Sequence, residues 1–178
     1  MAGIAALTLL IGCSTPQQTQ AREAGTALYT ETTMSNGTAG TEKARVGQEW
    51  WFALPVPHNT SGQAIKITRA EVMSVPQGLE VTGYGAFKIN DTGGVYFLSN
   101  AADSASPRFQ ELRNYIDQPV EVQPNQASKI YYLARLRVTD RVHGNVRDCR
   151  YEYEQGSRRY TQTLSCEAEI RTQASQRR

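Results

Sequence analysis

The side chains best suited to chemistry are few in this sequence: three cysteines and two histidines. His58 and His143 lie in separate turn-like segments, and neither belongs to an HExxH or HxH pattern. Because a metal site needs three or four clustered ligands, the sequence predicts no metal and no other cofactor. A G-x-S-x-G segment, the signature of many serine hydrolases, is also missing. These features favour a protein that is not an enzyme.

Two cysteines fall in a predicted C-terminal β-hairpin. Cys149 and Tyr151 share one face of the first strand, and Leu164 and Cys166 share one face of the return strand. With a four-residue loop at 156–159, Cys149 lies directly opposite Cys166, at a Cβ separation of about 4.5–5.5 Å. A disulfide needs a slightly closer approach. The spacing predicts a Cys149–Cys166 disulfide, because two isolated cysteines offer too few ligands for a metal.

The third cysteine, Cys13, follows an uncharged apolar segment over residues 2–11. A helix needs about 20 residues to span a bilayer, so this segment is typical of a signal peptide instead. It ends in Leu10-Ile11-Gly12-Cys13, which resembles the lipobox of bacterial lipoproteins. The resemblance implies cleavage before Cys13 and attachment of a diacylglycerol to its thiol, with palmitate among the acyl chains. The alternative is an ordinary signal peptide with an incidental cysteine, which would give a secreted protein.

The lipobox resemblance also implies a location and a first partner. The protein is expected at the cell membrane, on its extracytoplasmic side, with lipid on Cys13 as the membrane contact. Export to an oxidising compartment agrees with a disulfide. The net charge of +2 is too small to indicate a nucleic-acid partner. Residues 129–178, however, hold 11 Lys and Arg against 6 Asp and Glu, which favours either an anionic envelope surface or a solvated strand face.

Composition along the chain predicts four segments. Residues 1–12 are the signal peptide, and residues 13–43 are a lipidated flexible tether, since they are rich in Ser, Thr, Gln, Ala and Gly. Residues 44–172 form the folded domain, and residues 173–178 are a disordered tail.

Short apolar runs alternate with turn signals throughout the domain, which predicts an all-β, immunoglobulin-like antiparallel β-sandwich. A change in the parity of apolar residues indicates a bulge near residues 68–69. Ser106-Pro107 and the following apolar spacing predict one short helix, of two to three turns, near residues 107–116. The stretch Val46-Gly47-Gln48-Glu49-Trp50-Trp51-Phe52 with Pro55 and Asn59 resembles small secreted lipoprotein domains of high-GC Gram-positive bacteria that have no assigned activity.

Aromatic side chains supply the candidate binding surface. Trp50 and Trp51 are adjacent, so in a strand they point to opposite faces, and one of them is expected in the core. Trp51, Tyr84 and Tyr96 are the candidate surface residues, since an exposed aromatic suits a carbohydrate or protein contact. The alternative is an aromatic ring that the tether or a loop covers. Glu152, Glu154, Glu167 and Glu169 are expected to be solvated partners of nearby arginines.

These features predict a lipid-anchored, extracytoplasmic binding or accessory domain of the bacterial cell envelope. An envelope protein or a polysaccharide such as peptidoglycan is the candidate partner. Two other classes stay open: a structural component that assembles through an exposed sheet edge, and a hydrolase with an unrecognised site.

Overall fold

A computed structural model of the protein describes residues 22–29 and 39–172. Strands dominate it, and the helical segments are α1 (Ile89–Thr92) and one 3-10 turn (Phe109–Glu111). The strands are β1 (Glu23–Ala24), β2 (Leu28–Tyr29), β3 (Ala39–Ala44), β4 (Glu49–Ala53), β5 (His58–Asn59), β6 (Ile65–Ser74), β7 (Gln77–Lys88), β8 (Leu98–Asn100), β9 (Val120–Val122), β10 (Gln126–Ala127), β11 (Ile130–His143), β12 (Val146–Gln155) and β13 (Arg158–Thr172). The predicted all-β class is confirmed.

The described strands form three sheets. A six-stranded sheet has the order β1-β13-β12-β6-β9, with β3 also paired to β13, and a four-stranded sheet has the order β7-β11-β4-β8. A small sheet of order β10-β5-β2 completes the set. The two larger sheets share one buried apolar cluster, which makes the fold sandwich-like. All described pairings are antiparallel except those of β1 and β3 with β13.

The first core cluster lies between the two larger sheets. Ile67 and Tyr151 contribute from the six-stranded sheet, and Phe52 and Leu136 contribute from the four-stranded sheet. Burial of each large apolar side chain stabilises the fold by about 1.5–3 kcal/mol. The predicted bulge is present at Thr68, which is skipped in the pairing of β6 with β12 and switches the buried side of β6.

A second core cluster covers the other face of the four-stranded sheet. Trp51, Phe87 and Tyr131 lie on that face, and Phe109 packs onto them from the 3-10 turn. The ring centroids of Trp51 and Phe109 are 5.3 Å apart, and those of Phe87 and Phe109 are 5.1 Å apart. This sheet is therefore buried on both faces, by the partner sheet and by the segment 89–116.

The short helix predicted near residues 107–116 is present as the single 3-10 turn Phe109–Glu111, shorter than the expected two to three turns. The following residues hydrogen-bond to the edge of β7 instead of continuing the helix. The Ala86 N–H donates to Asn114 Oδ1 at 2.8 Å, and the Tyr115 N–H donates to the Ala86 carbonyl at 2.8 Å. These bonds satisfy backbone groups that a free sheet edge would leave unpaired.

The predicted tether is wrong for the part that the structure describes. Leu28 is buried and lies in β2, while β1 and β3 both pair with β13, so residues 22–29 and 39–43 belong to the folded domain. The Gln162 side chain explains part of this order. Its Oε1 accepts the Leu28 N–H at 3.0 Å, and its Nε2 donates to the Leu28 carbonyl at 2.6 Å. The signal peptide (residues 1–12), Cys13 and the tail 173–178 lie outside the described residues.

The C-terminal hairpin confirms the predicted disulfide and corrects the predicted register. Cys149 and Cys166 are bonded, with their Cα atoms 5.8 Å apart. The loop has two residues, 156–157, and Cys149 pairs with Leu164. A register shift between Arg147 and Cys149 accompanies this offset. A two-residue error keeps every side chain on its predicted face, so both sulfurs still point into the core.

Candidate functional site

The predicted aromatic surface is wrong for Trp51. Its side chain is only 7% exposed and packs in the second core cluster. The Arg135 guanidinium lies over the indole, 5.6 Å from the ring centroid. The segment 89–116 covers this face of the sheet, which is the alternative that the sequence left open. Strand alternation shows that two adjacent tryptophans face opposite ways, but it does not show whether a distant loop covers one of them.

Tyr84 and Tyr96 do not form one surface. Tyr84 is half-buried against the first core cluster, and its hydroxyl accepts the Val72 N–H at 3.1 Å. Burial raises the pKa of Tyr84. Tyr96 is half-buried against the second cluster, on the other side of the four-stranded sheet. Tyr96 lines an open cavity.

That cavity, here called the β8 hollow, has a volume of about 560 Å³. It lies where the edge strand β8 approaches β3, so both larger sheets contribute to it. Its aromatic and apolar side chains are Trp50, Tyr96 and Leu98. Its other lining residues are Thr41, Lys43, Ser99, Asn100, Ala102, Asp103, Ala105 and Ser106. Aromatic rings beside hydroxyl, amide and charged groups can bind a ligand that has both apolar and polar faces.

Two polar atoms of residues that line the β8 hollow are buried without a hydrogen-bond partner among the described residues. They are the indole Nε1 of Trp50 and the hydroxyl of Ser99. A buried donor without an acceptor costs about 1–3 kcal/mol.

A second cavity, here called the Arg22 cleft, lies on the outer face of the six-stranded sheet and has a volume of about 300 Å³. It is lined by Arg22, Thr68, Arg69, Glu152, Tyr153, Glu154, Arg159 and Tyr160. The Arg22 Nη2 atom lies 2.7 Å from Glu152 Oε2, and the Arg159 Nε atom lies 3.2 Å from Glu154 Oε1. The rings of Tyr153 and Tyr160 stack with centroids 5.4 Å apart. The cleft is polar, and its carboxylates are already paired with arginines.

The acidic residues of the last two strands pair with arginines, as the sequence predicts. Glu154 pairs with Arg159 across the hairpin. Glu167 lies 2.9 Å from Arg147, and Glu169 lies 2.8 Å from Arg171. Glu152 is the exception in burial, since it is 7% exposed. Its partner Arg22 comes from the segment that the sequence assigned to the tether.

The two histidines lie in different sheets. His58 pairs with Ala127 and Tyr29 in the small sheet, and His143 ends β11. Within residues 22–29 and 39–172, no three His, Cys, Asp or Glu side chains are grouped to hold a metal ion. In the same ranges, no helix has the length and apolar character that a bilayer crossing requires.

Several edges of the two larger sheets are short or occupied in the described part of the chain. β1, β8 and β9 have two or three residues each. β3 is longer but carries Glu42 and Lys43, and the edge of β7 bonds to Asn114 and Tyr115. Short or charged edges oppose pairing with another chain, but β6 has a described strand partner on one side only beyond Ile67, so assembly through a sheet edge stays an alternative.

The chain matches no family model, no curated protein and no solved structure. Sequence reasoning missed Trp50 as a cavity residue and Arg22 as part of the fold. The sequence signal for the β8 hollow was the run of small and polar residues over 99–106, which is typical of a loop beside a strand.

Proposed function

We propose that this protein is a lipid-anchored binding domain on the extracytoplasmic side of a bacterial envelope membrane, with no catalytic activity of its own. The single observation that supports the location best is the Cys149–Cys166 disulfide. Disulfides persist in oxidising compartments and are rare in the bacterial cytoplasm. The bond is buried in the core, so it belongs to the folded state.

The same disulfide bears on which cysteine can carry the lipid anchor. This sequence has three cysteines, and two of them pair with each other. Cys13 is therefore the one cysteine of this sequence that stays available for acylation. Two or more acyl chains hold a protein at a bilayer stably, because each buried CH₂ contributes about 0.8 kcal/mol.

The experiment that tests the anchor is metabolic labelling with a palmitate analogue, followed by membrane fractionation. The native protein should incorporate the label and sediment with membranes, while Cys13→Ser should lose both properties. The matched control is the double variant Cys149→Ala/Cys166→Ala, which should keep the label. Unchanged label and sedimentation of Cys13→Ser would contradict the proposal.

A polysaccharide is the more specific candidate ligand, and the β8 hollow favours it. Trp50 and Tyr96 lie beside the amide, hydroxyl and carboxylate groups of Asn100, Ser106 and Asp103. Sugar rings pack an apolar face on aromatic side chains and direct their hydroxyls to polar groups.

Binding is tested by co-sedimentation of the protein with isolated peptidoglycan and other envelope polysaccharides. Tyr96→Ala should weaken binding about tenfold, because an aromatic contact at a binding surface contributes roughly 1–2 kcal/mol. The matched control is Phe97→Ala. Phe97 is the adjacent aromatic, is 47% exposed, and does not line the hollow. Equal losses in both variants, or no binding by the native protein, would count against a polysaccharide ligand at this place.

A further inference from the structure

The described chain begins at the Arg22 cleft. Arg22 pairs with Glu152 at 2.7 Å, and Glu23 pairs in register with Tyr160. Because β1 runs parallel to β13, Arg22 lies level with Arg159, at the turn that joins β12 to β13. Residue 22, the first of the described residues, therefore lies beside this turn.

The chain between Cys13 and this point is short. Eight residues, 14–21, separate Cys13 from Arg22. Fully extended, they reach about 30 Å at most. If the thiol of Cys13 carries lipid, as the proposed function holds, the β12–β13 turn and the Arg22 cleft lie within about 30 Å of the bilayer surface.

The charges around this turn are arranged with the cations outermost. The side chains of Arg22, Arg69, Arg158 and Arg159 are 50%, 60%, 69% and 53% exposed. Lys66, also exposed, pairs in register with Glu154.

Two of the facing carboxylates lie deeper than the cations, and exposed Glu121 pairs in register with Lys66. Those of Glu152 and Glu71 are 9% and 13% exposed, while Glu154 and Glu23 are 37% and 57% exposed. The outer surface of this region is therefore more positive than its total charge indicates.

The exposed ion pairs Arg158–Glu23 and Arg159–Glu154 can exchange for phosphate, whereas Arg22 stays paired with buried Glu152. Exposed Arg–Glu pairs stabilise a fold only weakly, since water screens them. The Arg158–Glu23 pair, at 3.9 Å, is a long contact. A guanidinium offers a fork of N–H donors that matches two oxygens of one phosphate. Cations near an anionic membrane also gain from its surface potential.

We propose that the Arg22 cleft and the β12–β13 turn dock on the phosphate headgroups of anionic lipids in the same membrane that holds Cys13. This inference rests on the proposed lipid anchor. Docking would fix the domain with this end against the bilayer. The β8 hollow is bounded in part by β3, which pairs with the opposite end of β13, so the hollow would face an envelope ligand.

The test uses the full lipidated protein in vesicles that contain phosphatidylglycerol with a photoactivatable headgroup. After illumination, peptides that carry lipid adducts are identified by mass spectrometry. Adducts should concentrate in the peptides around residues 66–69 and 150–160. They should fall when phosphatidylglycerol is diluted with phosphatidylcholine, and when the salt concentration is raised.

Charge reversal supplies the matched comparison. Arg158→Glu/Arg159→Glu should lower these adducts by more than about tenfold. The variant Arg108→Glu/Arg147→Glu reverses the charge of two exposed arginines elsewhere on the domain. It should leave the amount of lipid adducts unchanged. Thermal unfolding with the disulfide intact confirms that both variants fold.

The outcomes separate this inference from the proposed function. Vesicle-bound protein whose adducts are spread evenly, or concentrate around residues 96–106, would overturn the docking and leave the anchor in place. Protein that carries no lipid on Cys13 and stays off the vesicles would overturn both.

Discussion

The backbone of Gly25 passes so close to the ring of Tyr153 that a side chain has no room there. A Cβ atom built on Gly25 would lie 2.2 Å from the Tyr153 hydroxyl oxygen and 2.7 Å from the ring carbon that bears it. Tyr153 is almost fully buried and stacks on Tyr160, so its ring cannot move aside easily. Its hydroxyl also accepts the Ala27 N–H at 3.1 Å. This contact holds the first strands on the rest of the domain.

Gly25→Ala should therefore lower the free energy of unfolding by about 1–3 kcal/mol, since the added methyl group overpacks the contact. Chemical denaturation measures this loss. Trypsin should also cut after Arg22 faster than in the native protein. Gly62→Ala is the control, because its Cβ would meet nothing within 4 Å. It should change stability by less than about 0.5 kcal/mol. Equal stability of the two variants would show that the segment is not held in this way.

The buried tyrosines predict a loss of stability at alkaline pH. Burial raises the pKa of Tyr132 and of Tyr151 well above the ordinary value of 10.0. Below pH 10 both side chains are neutral in the folded and unfolded states. Above it, the unfolded chain releases these protons while the folded protein keeps them, so stability falls as pH rises, by about 1.4 kcal/mol per pH unit for each tyrosine.

In Tyr132→Phe, the free energy of unfolding should fall less steeply as pH rises, by the contribution of one tyrosine. Urea midpoints between pH 8 and about 11 measure this slope. The Tyr132 hydroxyl is buried with no hydrogen-bond partner among the described residues, so its loss should cost little at pH 7. Ile67→Val, in the same core cluster, is the control and should lower stability equally at every pH. If stability falls equally steeply with pH in Tyr132→Phe and in the native protein, the raised pKa of Tyr132 would be contradicted.

Asn59 connects three chain segments through one buried amide. Its Nδ2 lies 2.8, 3.1 and 3.2 Å from the carbonyl oxygens of Gln63, Val122 and Gln123. Asn59→Asp would place a carboxylate oxygen against these carbonyls. We expect a loss of about 3 kcal/mol or more, which deepens as pH rises because the unfolded state ionises more readily than the buried acid.

Thermal unfolding at pH 4 and pH 7 measures this effect. Asn100→Asp is the matched control, because the Asn100 side chain accepts the Ala102 N–H through Oδ1, and a carboxylate can accept the same bond. It should leave the midpoint nearly unchanged. A similar small shift in both variants would mean that the Asn59 amide is not structurally important.

Removal of the disulfide should destabilise the protein without changing its fold. The bond closes a loop with a sequence separation of 17 residues, for which the loss is about 3 kcal/mol. The double variant Cys149→Ala/Cys166→Ala should melt at a lower temperature than the native protein. A reducing agent should lower the melting temperature of the native protein alone. No difference between native and variant proteins would show that the bond does not form in solution.

The sequence predicts the faces of the strands better than their partners. Alternation placed Cys149 and Cys166 on one buried face, and a parity change located the bulge at Thr68. The register of the hairpin was wrong by two residues, because the left-handed backbone of Gly156 (φ 59°) closes a two-residue turn in place of four. Turn length depends on such local geometry, which alternation does not reveal.

Contacts between distant parts of the chain account for the other errors. Residues 22–29 are polar and small enough to be typical of a tether, yet Gln162 and Tyr153 supply their hydrogen bonds from more than 120 residues away. The cover of Trp51 by Phe109 is likewise a long-range contact. For the same reason, neither the β8 hollow nor the Arg22 cleft could be predicted, since each joins residues from remote segments.

The pairing of β1 and β3 with β13 has a consequence for the order of events during biosynthesis. β13 is the final strand of the described chain, and the strands beside it come from the beginning. Residues 23–24 and 39–44 leave the ribosome before residues 160–172, so they must wait for those later residues before they find their partners. Contacts of such high sequence separation slow folding. A chain halted before residue 158 would leave β1 and β3 without the strand that they pair with, and so exposed to proteases.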